Sequence, residues 1–161
     1  MSRFWKAVLL TTLVAGTLDI MAAHIDQIIR TGAFPHRMFY VIAAGAIGLK
    51  AAFSNGPAVI ALGVFIHYFI SFSFTLVFFL LYPAVTRVSK NKYVNILWYT
   101  LIVWLIMNFI VMPLTALPQK PFVFNMQQVT GFLILLVVFG LPIVLMTEKY
   151  YKRRIAVRQP I

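Results

Sequence analysis

Arg37-Met38-Phe39-Tyr40-Val41-Ile42-Ala43-Ala44-Gly45-Ala46-Ile47-Gly48-Leu49-Lys50-Ala51-Ala52-Phe53-Ser54 is the stretch whose reading decides the fold. It is apolar and rich in small residues, yet it carries Lys50 near one end. It is either a fifth membrane span or a short helix that lies in, or dips into, the membrane interface. Four other stretches, near 7–29, 57–86, 94–116 and 124–147, are long enough to cross a bilayer core of about 30 Å, which takes roughly 20 residues. The basic residues choose between the two readings. With four spans and a cytoplasmic N-terminus, Arg3, Lys6, Arg87, Lys90, Lys92, Lys149, Lys152, Arg153, Arg154 and Arg158 fall inside, and Arg30, Arg37, Lys50 and Lys120 outside. Ten against four is what the positive-inside rule expects. A fifth span would put Arg87, Lys90, Lys92 and the Lys149 to Arg158 tail outside. The expectation is therefore an all-α membrane protein of four transmembrane helices. A short outer-side helix over about 37–54, interfacial or re-entrant, lies between the first and second, with its small residues suited to close packing on the bundle.

Composition supports this outward from the same segment. The 161 residues are 62% hydrophobic and 11% charged, whereas a soluble domain is nearer half apolar and a quarter charged. No block of soluble composition interrupts the apolar runs, so residues 1–161 read as one membrane domain with a cytoplasmic basic tail over 148–161. The net charge of +11 does not indicate nucleic acid, because the cations sit at the ends of apolar blocks, where they meet lipid headgroups. There is no cysteine, which excludes disulfides, thiolate metal sites and thiol nucleophiles. The N-terminal run is long for a signal peptide and contains Asp19 and His24, so it is expected to be a retained first span.

Prolines punctuate the spans. Tyr82-Pro83 is expected to bend or end the second, Met112-Pro113 and Leu117-Pro118 to close the third, and Lys120-Pro121 to mark the connection onward. Pro142 is expected to kink the fourth. Trp5, Tyr82, Tyr93, Trp98, Tyr150 and Tyr151 fall near the cytoplasmic boundary as interfacial anchors, while Trp104 lies mid-span as an exception.

Polar residues inside the spans carry the functional signal. A carboxylate in a span costs roughly 2.5–3.5 kcal/mol on insertion scales, and Asp19 is one of only three acidic residues in the chain. Helical spacing places Thr12, Ala15, Gly16, Asp19, Ala22, Ala23 and Asp26 on one face of the first span. Gly63, His67, Ser71 and Thr75 follow one another at i+4 in the second, as do Thr100, Trp104, Asn108 and Met112 in the third. At a rise of about 1.5 Å per residue, Asp19, His67 and Asn108 each come out roughly 10 Å from the outer boundary. Gln127 and Gln128 sit just above them, with His24 and Asp26 at the rim. The candidate ligand- or proton-binding set is Asp19, His67, Asn108, Asp26 and Gln128.

The alternative is structural. Single Ser, Thr, Asn and Gln residues in spans often only hydrogen-bond neighbouring helices, at about 0.6 kcal/mol each, which suits Ser71, Thr75 and Thr100. Asp19 itself could form a structural pair with His or Asn. A haem between His24 and His67 is disfavoured because the two lie at different depths and His36 is in a loop. A metal site of Asp19, Asp26 and His67 lacks the usual ligand spacing. No nucleotide loop or hydrolase motif is present, and neither metal nor cofactor is expected.

The pieces Ala15-Gly16-Thr17-Leu18-Asp19-Ile20, Lys50-Ala51-Ala52-Phe53-Ser54, Phe65-Ile66-His67-Tyr68-Phe69-Ile70, Leu81-Tyr82-Pro83, Met107-Asn108-Phe109-Ile110-Val111-Met112-Pro113-Leu114 and Phe139-Gly140-Leu141-Pro142-Ile143 together resemble a group of small bacterial inner-membrane proteins of unknown function, similar in layout to the YagU type. The resemblance implies a bacterial inner membrane and a four-helix layout, and no activity.

Three functions are then in view. The first is a proton, ion or small-ligand site built on Asp19, His67 and Asn108, capped by 37–54, in a chain expected to form a homo-oligomer if anything is to cross the membrane. The second is an accessory or structural subunit of a larger membrane complex. The last is a lipid-modifying enzyme, which needs more carboxylates or a nucleophile than these spans offer; the expectation is a protein that is not an enzyme.

Overall fold

Ser2 opens the first helix by accepting a hydrogen bond from the Trp5 amide, and Gly32, in the left-handed conformation at φ 69°, closes it with its N–H on the Ile28 carbonyl. Between these caps, α1 (Arg3–Thr31) runs without interruption in the computed structural model, which describes residues 2–35, 37–118 and 122–158, without the side chains of 156–158. His36, Lys120 and Pro121, and the Arg158 side chain, lie outside the described residues. The 37–54 segment forms two short helices, α2 (Met38–Ile47) and α3 (Leu49–Ser54), divided at Gly48, whose φ of 82° ends a helix. Then follow α4 (Ala58–Val88), α5 (Lys92–Leu114) and α6 (Met126–Ile155). Asn91 and Asn125 cap the last two, accepting from the amides of Tyr93 and Gln128.

Helices α1, α4, α5 and α6 are each long and apolar enough to cross a membrane, α2 is a shorter apolar helix, and no strand occurs among the described residues. The chain is an all-α integral membrane protein with four transmembrane helices and a short helix between the first and second. At 31 residues, α4 spans about 46 Å, so its ends project beyond a hydrocarbon core of about 30 Å.

Proline chemistry shapes three of these helices: α5 closes just past Pro113, as expected, whereas α4 runs on through Pro83. The helix does not end at Pro83 but continues to Val88. Pro83 has no N–H for the Phe79 carbonyl four residues earlier, and the Tyr151 hydroxyl of α6 donates to that carbonyl at 2.8 Å. In α5 and α6, a five-residue π-helical turn stands just before the proline: Met107–Val111 before Pro113, and Leu136–Gly140 before Pro142. There the amides of Met112 and Leu141 reach back five residues, to the carbonyls of Met107 and Leu136. Widening the turn accommodates a ring that cannot take part in an i to i−4 bond. Beyond Pro142 the helix carries on through residue 148, so the first turns of the basic tail extend α6.

Helix α1 packs against both α4 and α6, α6 packs against α5, and α2 lies along α4. The larger apolar core occupies the half of the bundle that holds the N-terminus of α1, with Phe78, Tyr99, Phe139 and Ile143 at its centre. A smaller one joins Ala43, Ala44 and Ala52 to Val59. Close approach marks two of the joints: a Cβ at Gly63 would fall on the Phe39 carbonyl, and one at Gly140 on the Thr100 hydroxyl. The Ala116 amide, just past α5, donates to the Gly45 carbonyl at 2.8 Å, which ties α2 to the end of the third span.

At the basic end, Phe4 meets Phe79 and Tyr150 edge-on, and Tyr82 stacks on Tyr151 at 5.0 Å. Trp104 is no longer an unexplained mid-span tryptophan. It packs edge-on against Phe109, Phe122 and Phe132 near the other end.

Candidate functional site

The residues expected to face the bundle from α1 and α4 do so, whereas Met112, on the expected stripe of α5, is exposed. On α1 the buried residues are Val8, Thr11, Thr12, Ala15 and Gly16, and Asp19 continues that face half-buried. On α4, Gly63, Ser71 and Thr75 are buried and His67 half-buried. These two stripes meet at Gly16, where an added Cβ would stand 3.1 Å from the Tyr68 ring and 3.2 Å from the Ser71 hydroxyl. With no side chain at that point, the α1 backbone comes near enough for α4 to bond to it. The His67 ring donates from Nε2 to the Gly16 carbonyl at 2.8 Å, and the Thr17 and Tyr68 hydroxyls share a second hydrogen bond of 2.8 Å.

Because a carbonyl only accepts, the His67 bond assigns a proton to Nε2. Asp19 lies one turn beyond Gly16 on the same face, and the His67 ring is close enough to act electrostatically on its carboxylate. No hydrogen bond from the described residues reaches the Asp19 carboxyl.

The remaining candidates have other partners. Asn108, inside the π-helical turn of α5, donates to the Trp104 carbonyl of its own helix at 2.8 Å, and no hydrogen bond links it to Asp19 or His67. Asp26 pairs with Arg30 one turn on. Gln128 sits half-buried in the first turn of α6, its amide bonded to the Asn125 side chain. His24 donates to the Ile20 carbonyl at 2.7 Å and lies between the Phe34 and Phe39 rings, where it fastens the start of α2 to α1. Among the described residues no three His, Asp or Glu side chains gather as a metal site would require.

The buried hydroxyls differ from the sequence expectation. Ser71, Thr75 and Thr100 bond back to the carbonyls four residues earlier, at 2.8–2.9 Å, and not across to neighbouring helices. Inside the bundle, that carbonyl satisfies the hydroxyl locally, at a small cost in helix geometry. Sequence reasoning missed Thr17, Tyr68 and the Gly16 carbonyl. Thr17 and Tyr68 lie just off the two polar stripes, and the carbonyl has no sequence signal beyond the glycine that exposes it.

No family model, curated protein or solved structure matches the chain.

Proposed function

We propose that this is a bacterial inner-membrane protein, with both termini in the cytoplasm, in which Asp19 and His67 bind a proton or small cation at the α1–α4 seam. One observation carries the reading: the Asp19 carboxyl receives no hydrogen bond from the described residues, while His67, its electrostatic neighbour, is held in place by the Gly16 carbonyl. An ionisable group within a span is costly unless a proton, a counter-ion or a ligand compensates it. The sidedness rests on the ten basic residues at one end of the bundle, and the resemblance to YagU-type proteins supports the bacterial inner membrane. The role is one of binding, not catalysis, and any passage across the bilayer would need several copies.

Infrared difference spectroscopy on the protein in lipid, titrated in pH, tests the reading. A carboxyl band should titrate in the wild type, vanish in Asp19→Asn, and move its midpoint in His67→Gln. A band that survives Asp19→Asn, or a midpoint indifferent to His67, sinks the proposal.

A second reading, an accessory subunit of a larger membrane complex, is favoured by Asn108, whose amide closes on its own helix and leaves the pair without a third member. It requires that purification in mild detergent yield a stoichiometric partner.

A further inference from the structure

At the basic end, the first turns of α1 and the last turns of α6 border a cleft of about 1140 Å³, a little above the usual range of ligand-pocket volumes, roughly 300–1,000 Å³. Its walls are graded. Arg3, Lys149, Arg153 and Arg154 stand exposed near the helix ends, while Leu10, itself exposed, and Met146 line the cleft farther along the helices. On both helices the apolar lining lies seven or eight residues in from the arginines, or about 11–12 Å at the helical rise.

These cations have no carboxylate side chain of their own chain to meet. The chain has three acidic residues: Glu148 pairs with Lys152, Asp26 with Arg30, and Asp19 lies beside His67 at the α1–α4 seam. The cleft also contains an unsatisfied hydroxyl. Thr11 lines it, is 1% exposed, and its Oγ1 has no hydrogen-bond partner. Thr12, Thr75, Thr100 and Thr147 are buried too, yet each donates to the carbonyl four residues back.

We propose that this cleft binds one anionic phospholipid, with its phosphate on Arg3, Arg153 and Arg154, one acyl chain along Leu10 and Met146, and an ester or glycerol oxygen on the Thr11 hydroxyl. The graded lining matches the order of headgroup, glycerol and chain in such a lipid, and a cationic rim at the membrane surface favours anionic over zwitterionic headgroups. A soluble anion would leave the apolar lining and Thr11 unused. A second copy of this chain would bring its own excess of positive charge to a positive rim. The inference is independent of the Asp19–His67 proposal, since it involves the other end of α1 and its contact with α6, not α4.

Native mass spectrometry of the full chain released from nanodiscs tests it, with phosphatidylglycerol and phosphatidylcholine offered in equal amounts. The wild type should retain one phosphatidylglycerol per chain, by at least tenfold over phosphatidylcholine. Removing the three arginines as Arg3→Gln, Arg153→Gln and Arg154→Gln should cut that retention on the order of a hundredfold. The equally charged control Arg87→Gln, Lys90→Gln and Lys92→Gln should leave it within about threefold, because those cations are at the same end but outside the cleft. Thr11→Val should lower retention severalfold and keep the headgroup preference. Equal retention of the two lipids by the wild type overturns the proposal, whatever the variants do. So does an equal loss in the control, or full competition by inorganic phosphate, which would reduce the site to a surface anion patch.

Discussion

Helix α1 has two neighbours and meets them in opposite ways. Against α4 it is drawn in at Gly16 until backbone touches side chain, and His67, Thr17 and Tyr68 find hydrogen-bond partners across the seam. Against α6, at the basic end, Phe4 meets Tyr150 edge-on, yet a cleft remains beside that contact, with cations that have no carboxylate partner and the Thr11 hydroxyl without one. One turn separates the buried Thr11 from Ala15 on the same helix, so propensity does not explain the contrast. A residue with no side chain admits the neighbouring helix at Gly16, whereas long basic and aromatic side chains line the cleft beside α6. Small residues at a membrane interface permit approach, and polar atoms brought together there must be satisfied within the protein.

The largest effect that would break this comparison comes from Gly16→Leu. Its side chain has no room beside Tyr68 and Ser71, and a loss of about 3 kcal/mol is expected in reversible unfolding in mixed micelles. Ala7→Leu lines the cleft and should change stability by no more than about 0.5 kcal/mol. If the two substitutions cost the same, the seam and the cleft are not packed differently.

Tyr151→Phe gives an intermediate effect. The Phe79 carbonyl loses its replacement donor, and about 1 kcal/mol should go with it. In a Pro83→Ala background the helix supplies that donor itself, so the cost of Tyr151→Phe should shrink. A double-mutant cycle with no coupling between residues 83 and 151 would show that the hydroxyl does not stand in for the missing amide.

The smallest effects give the finest distinction. Tyr68→Phe removes one interhelical bond and should cost about 0.6 kcal/mol. Thr11→Val, measured without added lipid, should cost nothing or stabilise slightly, because the hydroxyl it removes is unsatisfied. A clear loss at Thr11 would mean that the protein itself already satisfies that hydroxyl.

Much of the candidate site was legible in the sequence as helical phase. The stripes through Thr12 and Asp19 and through His67 and Ser71 turn inward as their spacing requires, since a helix carries its faces with it wherever it packs. What spacing could not supply was the partner. Asn108 has the right depth and the right stripe, but its side-chain amide donates to the Trp104 carbonyl one turn back on its own helix. The prolines signalled a local disturbance, and only the finished helix showed whether it became a break, a kink or a widened turn.

By itself, the sequence determined the four membrane helices, the short apolar helix between the first two, and the inward faces. These follow from length, hydropathy and local period, which act within one element. The tertiary structure decided which helices touch, that His67 reaches a backbone carbonyl and not a side chain, and that a cleft opens between the two ends of the chain. Those outcomes depend on distances between segments far apart in sequence. In this protein such distances are set by individual small residues, Gly16, Gly63 and Gly140, whose effect exists only once a second helix is present to approach them.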